Sequence, residues 1–132
     1  MVSTPAIYQE RIVILIVDDD PNVTAFLSDA LSRDGFEVVQ ARDGVEAYEY
    51  VRKPECKLML LDLQMPRLNG VELLLAMKHD GIDVPAIIVT GLSTIEEDAI
   101  KDLPGVVSLL RKPFTIEQLE TSVRDMLDKS GQ

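Results

Sequence analysis

Two kinds of segment alternate along the chain. Continuous aliphatic runs stand at Ile12–Val17, Leu58–Leu61, Ala86–Val89 and Val106–Leu110, each short and bounded by Asp, Gly or Pro. Such runs predict strands covered on both faces. The run Phe36–Val39 is interrupted by Glu37 and predicts an edge strand.

Between the runs, apolar residues recur at helical spacing behind start signals. Asp20 followed by Pro21 predicts a cap and a first-turn proline, and Val23, Phe26, Leu27, Ala30 and Leu31 form the stripe that follows. Gly35 supplies a left-handed stop. Asp43 with Glu46, Asn69 with Glu72, and Ser93 with Glu96 pair a cap with an acid three residues on. Thr115 with Gln118 predicts a capping box for the last helix, with Phe114 stapled onto Leu119. Ile116, Leu119, Val123, Met126 and Leu127 line that helix's apolar stripe.

Five β–α units in strict alternation predict a parallel sheet wrapped by helices on both faces and joined by right-handed crossovers. Five strands are too few for an eight-stranded barrel, so the expectation is an α/β, doubly wound, flavodoxin-like sheet of order 2-1-3-4-5 with five helices. Residues 1–11 are expected to form a polar arm, 12–128 one folded domain and 129–132 a polar tail. At 132 residues, 46% hydrophobic and 27% charged, the composition is that of an ordinary globular domain. Thirteen basic against 23 acidic residues give a net charge of −10, which argues against holding nucleic acid or an anionic membrane by charge. Cys56 is the single cysteine, too few for a disulfide or a zinc cage. With no signal segment or membrane-length apolar run, the expected setting is a reducing, cytoplasmic one.

Ligands of an open parallel sheet sit outside the carboxyl ends of its strands. Asp18, Asp19 and Asp20 follow the first run, Asp62 closes the third, Thr90 the fourth, and Lys112 follows the fifth. Acids, a hydroxyl and an amine thus converge on one rim. Clustered carboxylates call for a hard divalent cation, and Mg²⁺ fits because it keeps sites open for water or phosphate oxygens. Lys112 and Thr90 suit the far side of a phosphate. There is no Ser–His or Cys–His pair, and His79 stands alone near a helix end. A carboxylate such as Asp62 can itself be the nucleophile. Charges and spacing therefore point to Mg²⁺-dependent phosphoryl transfer onto an aspartate.

Four segments in order, ILIVDDDPNV, LMLLDLQMPRLNG, IIVTG and LLRKPF, resemble the receiver domain of two-component response regulators over about Ile12 to Leu127. The resemblance implies that Asp62 accepts a phosphoryl group from a sensor histidine kinase or a histidine phosphotransfer protein. It implies that Asp19 ligates Mg²⁺ directly, Asp18 mainly through water, and Gln64 through its backbone carbonyl, with Asp62 completing the set. Thr90 and Lys112 would hold phosphoryl oxygens, Pro66 and Gly70 would shape the loop after Asp62, and Pro113 would be the family's cis-proline. The fourth helix, fifth strand and fifth helix would form the output face, with Ile95, Glu96, Glu97, Asp98 and Lys101 as variable contacts. Many members carry Tyr or Phe three residues before the lysine, where this chain has Leu109. Phosphorylation chemistry is expected to survive that change, but an aliphatic side chain has no polar tip with which to serve as the usual readout. Gln64 and Leu92 occupy positions that tune phosphoryl lifetime in the family.

Bland readings stand beside these. Asp18–Asp20 could be a solvated turn, Asp62 and Lys112 a structural ion pair, and Cys56 a loop or partly buried thiol. Met59, Met65, Met77 and Met126 read as core filler. Among functions, an aspartate-nucleophile phosphohydrolase commonly has a second acid two residues on, where Gln64 stands. A flavodoxin-like cofactor binder would want a small-residue phosphate loop where Asp18–Asp20 would repel the phosphate. A degenerate receiver that binds partners without phosphorylation is the remaining alternative. The expectation is a phosphoacceptor switch, not a turnover enzyme.

Overall fold

The computed structural model describes residues 12–63, 70–91 and 97–130. In chain order the elements are β1 (Val13–Val17), α1 (Pro21–Arg33), β2 (Glu37–Ala41), α2 (Gly44–Val51), β3 (Cys56–Leu61), α3 (Gly70–His79), β4 (Ala86–Thr90), α4 (Glu97–Lys101), β5 (Val106–Arg111) and α5 (Ile116–Ser130). All strand pairings are parallel, in the order β2-β1-β3-β4-β5, as the alternation predicts. α5 continues through Lys129 and Ser130, residues expected to lie in the tail.

Every residue of β1 and β4 is buried, because these strands have neighbours on both sides and helices above and below. Side-chain alternation splits the core in two. Leu15, Val17, Met59, Leu61 and Ile88 pack with α2, α3 and α4, whereas Ile14, Ile16, Leu60, Ile87 and Val89 pack with α1 and α5. Fully burying such aliphatic side chains stabilises by roughly 1.5–3 kcal/mol each. Two register shifts occur near the amino ends of strands, one skipping Lys57 between Val13 and Ile14, the other skipping Val107 between Ala86 and Ile87. Each resets which face the following residues occupy.

Two expectations need correction. Val106–Leu110, expected to be covered on both faces, forms the outer strand β5, with only Leu110 fully buried and Val107 46% exposed. Its aliphatic composition reflects partial cover by α4 and α5, not a neighbour on each side. Cys56, expected in a loop or partly buried, opens β3 and is buried; desolvation pushes its thiol up to about 11, which keeps it protonated and unreactive.

The caps on described residues form as anticipated. The Asp20 side chain accepts from Asn22 N, that of Asp43 from Glu46 N at 2.8 Å, and Thr115 and Gln118 exchange bonds reciprocally. Gly35 adopts φ +93°, where a side chain would be strained. The caps pairing Asn69 with Glu72 and Ser93 with Glu96 involve positions outside the described residues. So do Met65, Pro66, Leu92 and Ile95.

Candidate functional site

Each polar group of the rim is held by a backbone bond to the end of a neighbouring strand. Asp18 N donates to Ala41 O at 3.3 Å, Asp62 N to Val17 O at 3.0 Å, and Lys112 N to Thr90 O at 2.8 Å. Because Val17 and Leu61 are register partners, the two acids that follow them emerge side by side. The strands therefore aim these groups while the aliphatic residues behind them fix the strands.

Asp18, Asp62 and Thr90 are 3%, 6% and 1% exposed, so three polar side chains are buried together at one end of an apolar sheet. The Lys112 Nζ lies 3.3 Å from Asp62 Oδ2 and 3.8 Å from Asp18 Oδ2. One ammonium thus faces two carboxylates. Asp18 Oδ1 accepts from Asp20 N at 2.9 Å, whereas Oδ2 is buried with no hydrogen-bond partner. Burial pushes the Asp18 carboxyl above the ordinary aspartate value, opposed by the Asp20 N–H; Asp62 raises it further, Lys112 lowers it and Asp19 raises it. A solvated turn does not bury an acid in this way, and a simple ion pair of Asp62 with Lys112 leaves Asp18 unexplained.

An orphaned, buried carboxylate oxygen beside a second carboxylate fits a hard cation. Among the described residues, no group of three or more Asp, Glu, His or Cys side chains is placed to hold a metal ion. Two buried carboxylates side by side suit Mg²⁺, which takes few protein carboxylates and completes its shell with backbone, water or ligand oxygens. Asp19, implied as the direct ligand, is exposed at the mouth, and Asp18 is the buried member of the pair. Gln64 lies outside the described residues.

The Lys112–Pro113 bond is cis, as the resemblance implied. Beyond it Phe114 packs against Phe26 with ring centroids 6.1 Å apart, so α1 and the start of α5 close one side of the rim. Leu109 is half-buried on β5, pairs with Ile88 and packs on the α4 side. His79 is 88% exposed and remote from the rim in the topology, at the far end of α3. Sequence reasoning did not single out Arg111. It pairs in register with Thr90, and a strand-end cation gives no sign in the sequence that part of it will be buried.

None of the described helices is long and apolar enough to cross a membrane. The family model for the response regulator receiver domain matches residues 14–124. Over 117 residues the chain is 36% identical to the response regulator MprA of Mycobacterium leprae, covering 89% of this chain and 51% of that protein. It thus spans about half the length of the curated relatives it matches. A CheY-like receiver domain protein from Methanospirillum hungatei superposes with a TM-score of 0.79 at 28% identity, covering 90% of this chain and 95% of the other. The response regulator TrrA of Thermotoga maritima, solved in complex with Mg²⁺-BeF, gives 0.76 at 28% identity, covering 88% and 99%. Topology, rim chemistry and these likenesses agree, and the chain belongs to the response regulator receiver domain family of two-component systems.

Proposed function

We propose that Asp62 is the phosphoacceptor of a switch driven by a sensor histidine kinase or a histidine phosphotransfer protein. The observation that carries this is the burial of Asp18 and Asp62 around the single Lys112 ammonium, with Asp18 Oδ2 left without a hydrogen bond. An Asp62 carboxylate oxygen attacks the phosphorus; the P–O bond forms as the P–N bond to the donor imidazole breaks, and the departing nitrogen takes a proton. Lys112 holds phosphoryl oxygens as negative charge gathers, and the Thr90 hydroxyl donates a hydrogen bond to them. Asp19 and Asp62 directly, Asp18 mainly through water, and the Gln64 backbone carbonyl would hold Mg²⁺, which would supply further positive charge against those oxygens. The buried strand ends keep the groups in place without reorganisation.

The product is an acyl phosphate that shifts the population of the α4–β5–α5 face toward a partner-binding state, by interacting better with one of two arrangements. The chain is accordingly a cytoplasmic switch with slow self-dephosphorylation, not a turnover enzyme, and it acts on proteins rather than on nucleic acid or membrane directly. Intact-protein mass after incubation with acetyl phosphate, with and without Mg²⁺, is the test. One added phosphoryl group is expected only with Mg²⁺ and only while Asp62 is present. An Asp62→Asn protein modified at the same rate would reject Asp62 as the acceptor. Steady release of phosphate without accumulation would favour a hydrolase.

A further inference from the structure

Both register shifts of the sheet fall at the amino ends of its strands, the end opposite the rim. Lys57 is skipped where β1 pairs with β3, and Val107 where β4 pairs with β5. Such shifts are rare between parallel strands, and they bend the strand and re-aim the skipped side chain. Both skipped residues line one groove of about 710 Å³. β4 is five residues long, so roughly 17 Å of sheet separates this groove from Thr90 and the rim.

The groove has an apolar wall. Pro54, Val84, Pro85 and Met126 join Val107 there, delivered by the α2–β3 turn, the α3–β4 turn and α5. Val107 is 46% exposed. A single exposed aliphatic residue is ordinary, but this one opens onto a concave apolar surface, the shape that binding sites use.

Arg52, Lys53 and Lys57 line the same groove, against Asp83 as the acid of its lining. On a chain of net charge −10 that is a local reversal of sign. None of these bases need be free. Arg52 faces Glu49 at 3.6 Å between exposed side chains, and Lys53 stands over the Tyr50 ring, 5.1 Å from its centroid. Lys57 and the neighbouring Glu55 have interactions of their own. Exposed ion pairs contribute little to stability, so an incoming carboxylate can replace them at small cost.

An occupant must therefore bring apolar atoms for the wall and carboxylates for the bases. β3 and β5 lie two strand spacings apart, roughly 9.6 Å, which about three residues of extended chain would span. A small inorganic anion would leave the wall uncovered. We propose that the groove at the amino ends of β3, β4 and β5 is a docking site for a short acidic, aliphatic segment of a partner protein. Because it lies at the end opposite Asp62, it holds that partner in both states of the switch, and it does not depend on the phosphoacceptor reading.

The test selects random heptapeptides displayed on phage against the full chain, then titrates the enriched peptides, made synthetically, into isotope-labelled protein by amide NMR. The enriched peptides are expected to set Leu, Ile or Val beside Asp or Glu and to move the amides of residues 51–57, 82–85 and 107. Val107→Asp should weaken their binding about tenfold, through an unpaired charge set against the apolar wall. Lys53→Glu, on an exposed turn, should weaken it severalfold by like-charge repulsion. Both variants should melt close to wild type and keep their labelling by acetyl phosphate, and peptide affinity should be the same with and without beryllofluoride. A selection that enriches nothing, basic peptides, peptides that map to the α4–β5–α5 face, or affinities untouched by both substitutions would overturn the inference. Inorganic phosphate moving the same amides as strongly at equal concentration would overturn it in favour of a plain anion site. Self-association of wild type that Val107→Asp abolishes, read by sedimentation, would give the groove to a second copy of the chain instead. Loss of acetyl phosphate labelling in wild type would sink the phosphoacceptor reading and leave this inference standing.

Discussion

Asp18 and Asp62 share one ammonium, and Asp18 Oδ2 is the atom left without a hydrogen bond. The raised Asp18 carboxyl sets the sign of a pH effect. A group whose acidity is weakened by folding contributes stability that is fully present below its unfolded value, here the ordinary 3.8. That contribution is lost as pH rises through the folded value. Ionised Asp18 is therefore a cost at neutral pH without a cation. Asp18→Asn keeps an oxygen for the Asp20 N–H and removes the charge. It should stabilise the protein in EDTA at pH 7 by roughly 0.5–2 kcal/mol, the usual range for a stabilising substitution. Urea unfolding at pH 7 and below pH 3.8 checks it, and the gain should fade at the acid end. A second residue-scale expectation concerns Leu109. Leu109→Tyr should leave Mg²⁺ affinity nearly unchanged, since position 109 faces the α4 cluster rather than the carboxylates. Calorimetric titration would reveal any large loss.

The elements show where one residue's freedom positions another. A Cβ on Gly70, the first residue of α3, would stand 2.5 Å from Leu63 Cδ2 and 3.4 Å from Leu61 Cδ2. Leu63 directly follows Asp62, and its side-chain end would have to move. Gly70→Ala should therefore slow labelling by acetyl phosphate severalfold while thermal stability falls by about 1 kcal/mol or less. A labelling rate equal to wild type would show that Leu63 yields without disturbing Asp62. The same elements show what the sequence made legible. Aliphatic runs ending in Asp62, Thr90 and Arg111–Lys112 revealed strands and rim together, because a strand's carboxyl end is where apolar character stops. The order of the strands was legible, but the extent of their cover was not: β5 is as aliphatic as an inner strand although its edge position leaves most of it partly exposed. The skipped residues Lys57 and Val107 were equally invisible, since a register shift depends on the partner strand. Adjacent acids Asp18 and Asp19 look alike in sequence, and it is their burial in the fold, with Asp18 N continuing the strand ladder to Ala41 O, that shows which one turns inward.

At the scale of the whole molecule, a net charge of −10 makes any cation favourable to the folded state, so stabilisation by Mg²⁺ does not by itself identify a site. General screening and specific binding separate by their dependence on ionic strength. The Debye length falls from about 30 Å at 0.01 M to about 10 Å at 0.1 M, so monovalent salt should raise the melting temperature in EDTA until repulsion is screened. That rise should be nearly the same in wild type and Asp18→Asn, because removing one charge of ten barely changes the long-range field. At constant ionic strength a bound cation adds a separate increment, about 1.4 kcal/mol at ten times its Kd. Wild type should show this increment when Mg²⁺ replaces monovalent salt, and Asp18→Asn should lose most of it because the orphaned Oδ2 is gone. Melting curves of both proteins in matched-ionic-strength buffers measure the difference. Equal Mg²⁺ increments would make the ion a screening agent, and the buried carboxylates would then need another explanation.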